Sequence, residues 1–453
     1  MYWKLRNPQS AIRNRSGWLS RALALLLISI ASLFQRQAPA QEIWQSSQAQ
    51  IRIHYRNAES FQQLGDYEAA IRAYESALAL QREMRDRKGQ SVSLMAIGDV
   101  YLFRLNQPEP ALEYYTQSLD IKRAIEDRKG EADVLNQMAY AHYTSGQLES
   151  AKQLYLEVRQ LIRRKKNRYA EATALNGLGN CALATGQPQE ALRYYQEALP
   201  LRQKEKHRHG VGNTTYNIGR AYEALHDLEK AYDYFQQALA LRQATLDLRA
   251  ELVTLMDLAR LALRLNRQAQ AQAHYVEAVE LARRVKSDAA ELEALMGAGS
   301  VSLELNQTEA ARRYLSDALR LAQKLSLRRV ESAIRVQLGV VDYQVERYEA
   351  ALEQHRQALV ITRELKDHRA VGEALVNLGQ IHMALKREPQ ALACFQQALS
   401  ILKQTGSPAL SVAEQRVAAF QQALGEERFQ QLNQDVSVNR LIYLHQATGL
   451  LDW

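Results

Sequence analysis

Apolar and small positions recur along this chain at the spacing of a helix face, and the whole pattern recurs at a nearly fixed interval. The plainest copy is Gln187 to Leu199, where Ala191, Tyr195 and Ala198 share one face of an α-helix. The slot of Ala191 is filled elsewhere by Ala70, Ala111, Ala151, Ala231, Ala271, Ala311, Ala351 and Ala391; the first interval is 41 residues and each later one 40. Four residues on stands a ring, from Tyr74 to Phe395, with Leu315 and His355 the exceptions. Five residues before the alanine come Gly65, Asn106, Gly146, Gly186, His226, Asn266 and Asn306, types that enter the left-handed backbone region most readily. Glu346 and Lys386 depart from this rule. Twelve residues before it is a small residue, Ala58, Ala139, Gly179, Gly219, Ala259, Gly299, Gly339 or Gly379. In the second copy Gly98 is thirteen before, so the extra residue of the long interval lies between Gly98 and Asn106. Each unit is therefore expected to be helix, tight turn, helix. The small residues allow the two axes to approach, and the rings are expected in the gap between neighbouring units. A fixed period of this size means a stacked repeat.

These residues resemble the tetratricopeptide repeat (TPR) family in its longer, 40-residue variety of exported bacterial type. The resemblance covers about Gln50 to Thr405, in nine units. It implies an all-α fold, a right-handed TPR-type α-solenoid of nine helix-turn-helix repeats with a C-terminal helical cap, in which the first helix of each unit lines a concave face. Residues 41–405 are expected to form the solenoid, with Trp44 as an anchor in its lead-in.

Residues 1–40 fall outside the repeat. Lys4, Arg6, Arg13, Arg15 and Arg21 precede an apolar run from Ala22 to Phe34, and Ala38-Pro39-Ala40 offers small residues before Gln41. That is the layout of a secretory signal peptide cleaved before Gln41, which predicts a periplasmic or extracellular protein. An uncleaved anchor is the less favoured reading. Beyond Thr405 the register fails. Leu410 to Leu424 reads as a helix stopped by Gly425, followed by short helices over Glu426–Asn433 and Val438–His445. Residues 406–453 are expected to cap the last unit, with Leu450-Leu451-Asp452-Trp453 docked on it or, as the alternative, binding a partner.

The leader also changes the charge. The chain carries 58 basic and 50 acidic side chains; the leader holds six of the basic ones and no acid, which leaves 52 against 50. A nucleic-acid partner loses its main support with that balance. Cys181 and Cys394 stand five units apart, too far to pair in an array where only neighbours touch. No catalytic, cofactor or metal constellation stands out. Gly210-Val-Gly-Asn-Thr-Thr215 looks like a phosphate loop, but Gly210 occupies the slot of Gly130, Ala170 and Ala250, which opens the first helix of a unit. His207 and His209 read as loop residues, and His142 and His382 as packing residues.

What remains is surface. Two residues before the small slot of each first helix stand Gln137, Gly177, Asn217, Asp257, Gly297, Gln337 and Asn377. Neighbouring groove slots add Asn136, Tyr140, Tyr143, Asn176, Asn180, Tyr216, Arg220, Arg260 and Tyr343. An amide side chain offers a donor beside an acceptor and matches the backbone of an extended peptide. The expected function is a non-enzymatic scaffold of the bacterial envelope that holds a protein or peptide partner in this groove. Two alternatives stand. One is attachment, with weak contact, to anionic lipid or cell-wall polymer through the basic joints Arg85–Lys88, Arg128-Lys129, Arg163–Arg168, Lys204–Arg208 and Arg328-Arg329. The other is a cytosolic peptide-sensing regulator, if the leader is not used.

Overall fold

The computed structural model describes residues 44–162 and 167–451. The proposed signal peptide, Arg163 to Lys166 and the last two residues lie outside the described residues. Among those described there are twenty helices and no strand. The chain divides into two compact units, with the boundary between His207 and Arg208.

The first unit holds four repeats: α1 (44–64) with α2 (Tyr67–Glu83), α3 (Arg87–Phe103) with α4 (Pro108–Ala124), α5 (Arg128–Thr144) with α6 (Leu148–Ile162), and α7 (Arg168–Ala184) with α8 (Pro188–Lys204). The second holds five: α9 (Arg208–Ala224) with α10 (Leu228–Ala244), α11 (Leu248–Arg264) with α12 (Gln268–Arg284), α13 (Asp288–Glu304) with α14 (Thr308–Lys324), α15 (Arg328–Gln344) with α16 (Tyr348–Glu364), and α17 (His368–Ala384) with α18 (Glu388–Gln404). It ends with α19 (Leu410–Leu424) and α20 (Glu426–Thr448). Trp44 is 55% exposed and anchors nothing.

The described turns within and between the repeats use one device. One residue takes a left-handed conformation, and the next begins the following helix, often with a side chain that accepts from the third amide: Asp66, Asp86, Asp127, Asn167, Asp227, Asp247, Ser287 and Asp367. The device serves within repeats, at Gly65 or Asn266, and equally between them, at Arg85, Glu126, Leu246 and Lys366. Glu346 (φ 59°) and Lys386 (φ 57°) adopt it too, so their departure from the residue rule leaves the backbone unchanged.

Most of the rings do not lie in the gap between units where the sequence placed them. Most sit over the small residue of their own repeat: a Cβ on Gly98 would come within 2.5 Å of Tyr115, and one on Gly219 or Gly379 within 2.7 or 2.6 Å of Phe235 or Phe395. Leu315 and His355 take the same seat over Gly299 and Gly339. In the third and sixth repeats the own-repeat slot is Ala139 or Ala259. There Tyr155 and Tyr275 lie instead against Gly177 and Gly297 of the following repeat. In these two repeats a methyl group at the own seat goes with a ring at the other; in the first, with Ala58, Tyr74 stays with Tyr55 and Gln62 of its own repeat.

In the cap, α20 comprises two helices that meet at a kink at Asn439 (φ −108°, ψ 16°), in line with the two helices expected, with the break inside the second expected stretch. Phe420, Leu432, Val436, Leu444 and Ala447 are buried against the last repeat. Leu450 packs there, whereas Leu451 is 85% exposed. No helix among the described residues is long and apolar enough to cross a membrane.

Candidate functional site

The first helices present their exposed face at a fixed set of slots, and the expected groove residues lie on it. In the second unit Tyr216 and Asn217 are half-buried and Arg220 is exposed on α9, while Asp257 is half-buried and Arg260 exposed on α11. Gln337 and Asn377 are half-buried on α15 and α17.

Several of these side chains are brought together. The Tyr216 hydroxyl donates to Asp257 at 2.5 Å, and Asp257 also receives Arg260. Arg260 reaches on to Glu293 of α13 at 2.9 Å. A bonded row thus crosses three first helices. Burial, then the Asp257 carboxylate, pushes the Tyr216 phenol well above its usual range. Burial works against the charged Arg260 guanidinium, but its bonds to Asp257 and Glu293 outweigh it and raise its pKa. Farther along, the Gln337 amide nitrogen donates to Ser300 at 2.8 Å. Its Oε1 is buried with no hydrogen-bond partner.

Between successive first helices the face opens into clefts. One of about 500 Å³ lies between α11 and α13, lined by Val253, Met256, Arg260 and Glu293. Its counterpart two repeats later, about 390 Å³ between α15 and α17, is lined by Ala333, Val336, Gln337, Glu373 and Asn377. Both lie within the ~300–1,000 Å³ range of small-ligand pockets.

In the first unit Tyr140 stands between Phe103 and Tyr143, with ring centroids 5.5 and 6.3 Å away, and makes an exposed aromatic row. Asn180 accepts from the Tyr195 hydroxyl at 2.8 Å. Gln137 and Asn176 are half-buried. Asn136 is buried and donates to the Ala170 carbonyl at 3.2 Å, a tie between repeats rather than a groove contact. Sequence reasoning missed Asp99, Phe103, Glu293 and Ser300. Asp99 follows the small slot of Gly98 directly and accepts from Tyr115, as Asn180 does from Tyr195; burial raises its carboxyl to about 6.

The histidines and the basic joints change character. His382 is buried and donates to the Ala447 carbonyl of the cap at 3.2 Å, whereas His142 is half-buried and bonded to Gln147. At the joints, Arg128 is held by Glu131, Arg168 by Glu205, and Arg328 by Glu331 and Glu364. The Glu131 and Glu331 carboxylates are buried, whereas Arg168–Glu205 and Arg328–Glu364 are exposed pairs that contribute little to stability.

The sequence profile of the tetratricopeptide repeat matches residues 50–124, 130–204, 210–284 and 330–404. The chain belongs to that family, whose members are in general non-catalytic interaction modules. No curated protein sequence matches it. A signal transduction ATPase with numerous domains, with a tetratricopeptide repeat sensor, from Pyrococcus horikoshii is 14% identical with a TM-score of 0.56 over 82% of this chain. The chain spans 55% of that protein's length, and the likeness shows the fold alone. A Rap protein complexed with Competence and Sporulation Factor is similar at 14% identity and TM-score 0.43, over 71% of this chain and 99% of that one. BtubC from P. vanneervenii is similar at 17% identity and TM-score 0.37, over 53% and 92%.

Proposed function

We propose that this TPR protein is a scaffold that holds an extended segment of a partner protein along the face of its first helices, and that it does so in the bacterial envelope after export. The observation that carries this reading is the recurrence, within one unit, of half-exposed polar side chains beside side-chain-sized clefts at equivalent slots. The layout of the leader supports export. The Rap protein, whose structure holds Competence and Sporulation Factor, offers a precedent for the fold and nothing more specific.

Affinity capture from the envelope fraction, read by mass spectrometry, identifies the partner. The variant Asn217→Ala with Arg220→Ala then removes one neutral and one charged contact from the α9 face. Binding is expected to weaken by about 2–4 kcal/mol, since such bonds contribute about 0.5–1.5 and 1.5–3 kcal/mol. A matched variant replaces Arg163, Arg164, Lys165 and Lys166 with alanine and is expected to bind normally. Full binding by the first and loss by the second would replace the scaffold reading with attachment through the basic edge.

A further inference from the structure

We propose that the cleft between α15 and α17 binds an arginine side chain of the partner, a proposal that rests on the peptide-groove reading. The chain itself supplies the template. Three repeats earlier the equivalent cleft, between α9 and α11, is filled from its floor by Arg242, which is 6% exposed. Its guanidinium donates to the Ala250 carbonyl at 2.9 Å, to the Thr254 hydroxyl and to Asn213 at 3.4 Å, and lies 4.2 Å from the Tyr216 ring centroid. At the second cleft the floor residue is Thr362. The counterparts of Asn213, Tyr216, Ala250 and Thr254 are Ala333, Val336, Ala370 and Ala374, and all four line the open space. What a guanidinium occupies in one cleft is a cavity of about 390 Å³ in the other.

The chemistry of the cavity fits the same group. Its apolar walls suit the methylenes of a long side chain. The Gln337 amide is anchored by its nitrogen on Ser300, so Oε1 is a buried acceptor without a donor. Such an atom is costly until a donor arrives. Asp367 and Glu373 stand in the wall beside Arg329; Asp367 also accepts from the Ala370 amide at 3.1 Å, and Glu373 holds Arg369 at 3.0 Å. A planar guanidinium with five donors can meet several of these acceptors at once, which the point charge of a lysine does not. The cleft between α11 and α13 has Ala282 in the floor slot and is open, with a guanidinium on its wall. Arg260 crosses to Glu293 there, and its counterpart in α15 is Val340. The cleft between α9 and α11 thus receives a guanidinium from the chain itself, while the cleft between α15 and α17 has the acceptors and receives none from its own slots.

The test is calorimetric titration of the full chain with N-acetyl-Gly-Arg-Gly-amide and with the same peptide carrying citrulline, which keeps the shape and loses the charge. The arginine peptide is expected to bind at least about tenfold more tightly. Thr362→Arg fills the cleft as Arg242 fills its own and should abolish binding without lowering the melting temperature. Val360→Arg places the same charge at an exposed position of α16 and should leave binding intact. Gln337→Leu, which removes the buried acceptor, should weaken binding about tenfold and keeps the test decisive if Thr362→Arg fails to fold. Equal binding of the citrulline peptide, or undiminished binding by a folded Thr362→Arg or by Gln337→Leu, overturns the proposal. Those results leave the scaffold reading standing, since it is tested at Asn217 and Arg220. Partner binding indifferent to the α9 face, with the arginine peptide still held, sinks the scaffold reading alone.

Discussion

The two seats of the aromatic ring make a double-mutant cycle that tests how these repeats pack. In the sixth repeat Tyr275 lies against Gly297 of the next repeat, because Ala259 closes the seat in its own. A Cβ at position 297 would stand 2.5 Å from two carbons of the ring and 2.7 Å from a third, where ordinary contact begins near 3.4 Å. The ring must therefore shift by roughly 1 Å inside a packed core, which costs about 1–3 kcal/mol. Gly297→Ala also gains about 1 kcal/mol of helix propensity, so its net effect is expected near 0–2 kcal/mol of destabilisation. Ala259→Gly alone loses about 1 kcal/mol of propensity. If the mutations act independently, the double variant loses the sum. If the ring has two seats, Ala259→Gly opens the one that Phe235 and Phe395 already use, and the overpacking term vanishes from the double variant. The expected coupling is then about 1–3 kcal/mol in favour of the pair. Urea unfolding of the full chain, followed by circular dichroism, measures all four corners. Additivity within about 0.5 kcal/mol refutes the two-seat account.

Two other predictions concern the turns and the buried imidazoles. Leu246 holds a left-handed backbone (φ 55°) while 79% exposed, so Leu246→Gly is expected to stabilise by about 1 kcal/mol and raise the melting temperature; an unchanged or lower value counts against the strain. His355 and His382 are held neutral, each with its pKa lowered to about 4, by burial in both cases and at His382 also by Arg356 and Arg387 against the opposing Ala447 carbonyl and Glu349. The unfolded chain takes up these protons below about pH 6.5 and the folded chain does not, so stability falls as pH drops from there toward 4, by about 3 kcal/mol per histidine at most. His355→Phe restores the ring found in most repeats and should flatten the urea midpoint between pH 7 and 4.5; a slope equal to that of the parent chain rules His355 out as a contributor.

The period made the helices and the within-repeat turns legible, because Gly65, Asn106 and their counterparts advertise a left-handed residue. The turns between repeats carry Arg85, Glu126, Leu246 or Lys366, and these types give no such signal. Their conformation follows from the capping Asp or Ser beside them and from two helices of fixed length that must fold back. The ring seats were encoded in the pairing of Ala139 with Gly177 and of Ala259 with Gly297, but only contacts reveal which helix a ring leans on. The Tyr216–Asp257 bond joins adjacent slots of successive repeats and was within reach of slot arithmetic; the reach of Arg260 to Glu293 depends on side-chain length and was not. Arg242 was hidden for the same reason. Its slot in the second helix holds Ile162, Ala282, Ala322 and Leu402 in other repeats, but only the structure shows its guanidinium turned inward beneath Tyr216.

Repeats of this kind share a backbone, so what distinguishes one from the next must lie in a few side-chain slots. The floor slot, at Arg242 and Thr362, decides whether a cleft is filled from within or open to a partner. A second difference appears at the end of the array, where contacts are not confined to neighbours. Arg356 of α16 donates to the carbonyls of Gln446 at 2.7 Å and Ala447 at 2.9 Å in the last turn of α20, across the ninth repeat. A cation there meets the negative end of the helix dipole and two carbonyls that α20 leaves without a helical partner. The same helix, α16, contributes Ala358 and Thr362 to the cleft beneath Gln337. The cap therefore steadies the helix that forms the floor of the open cleft as well as covering the last stacking surface. A site that must recognise one side chain gains from a floor held on both sides, and the cleft between α15 and α17 is where this chain provides it.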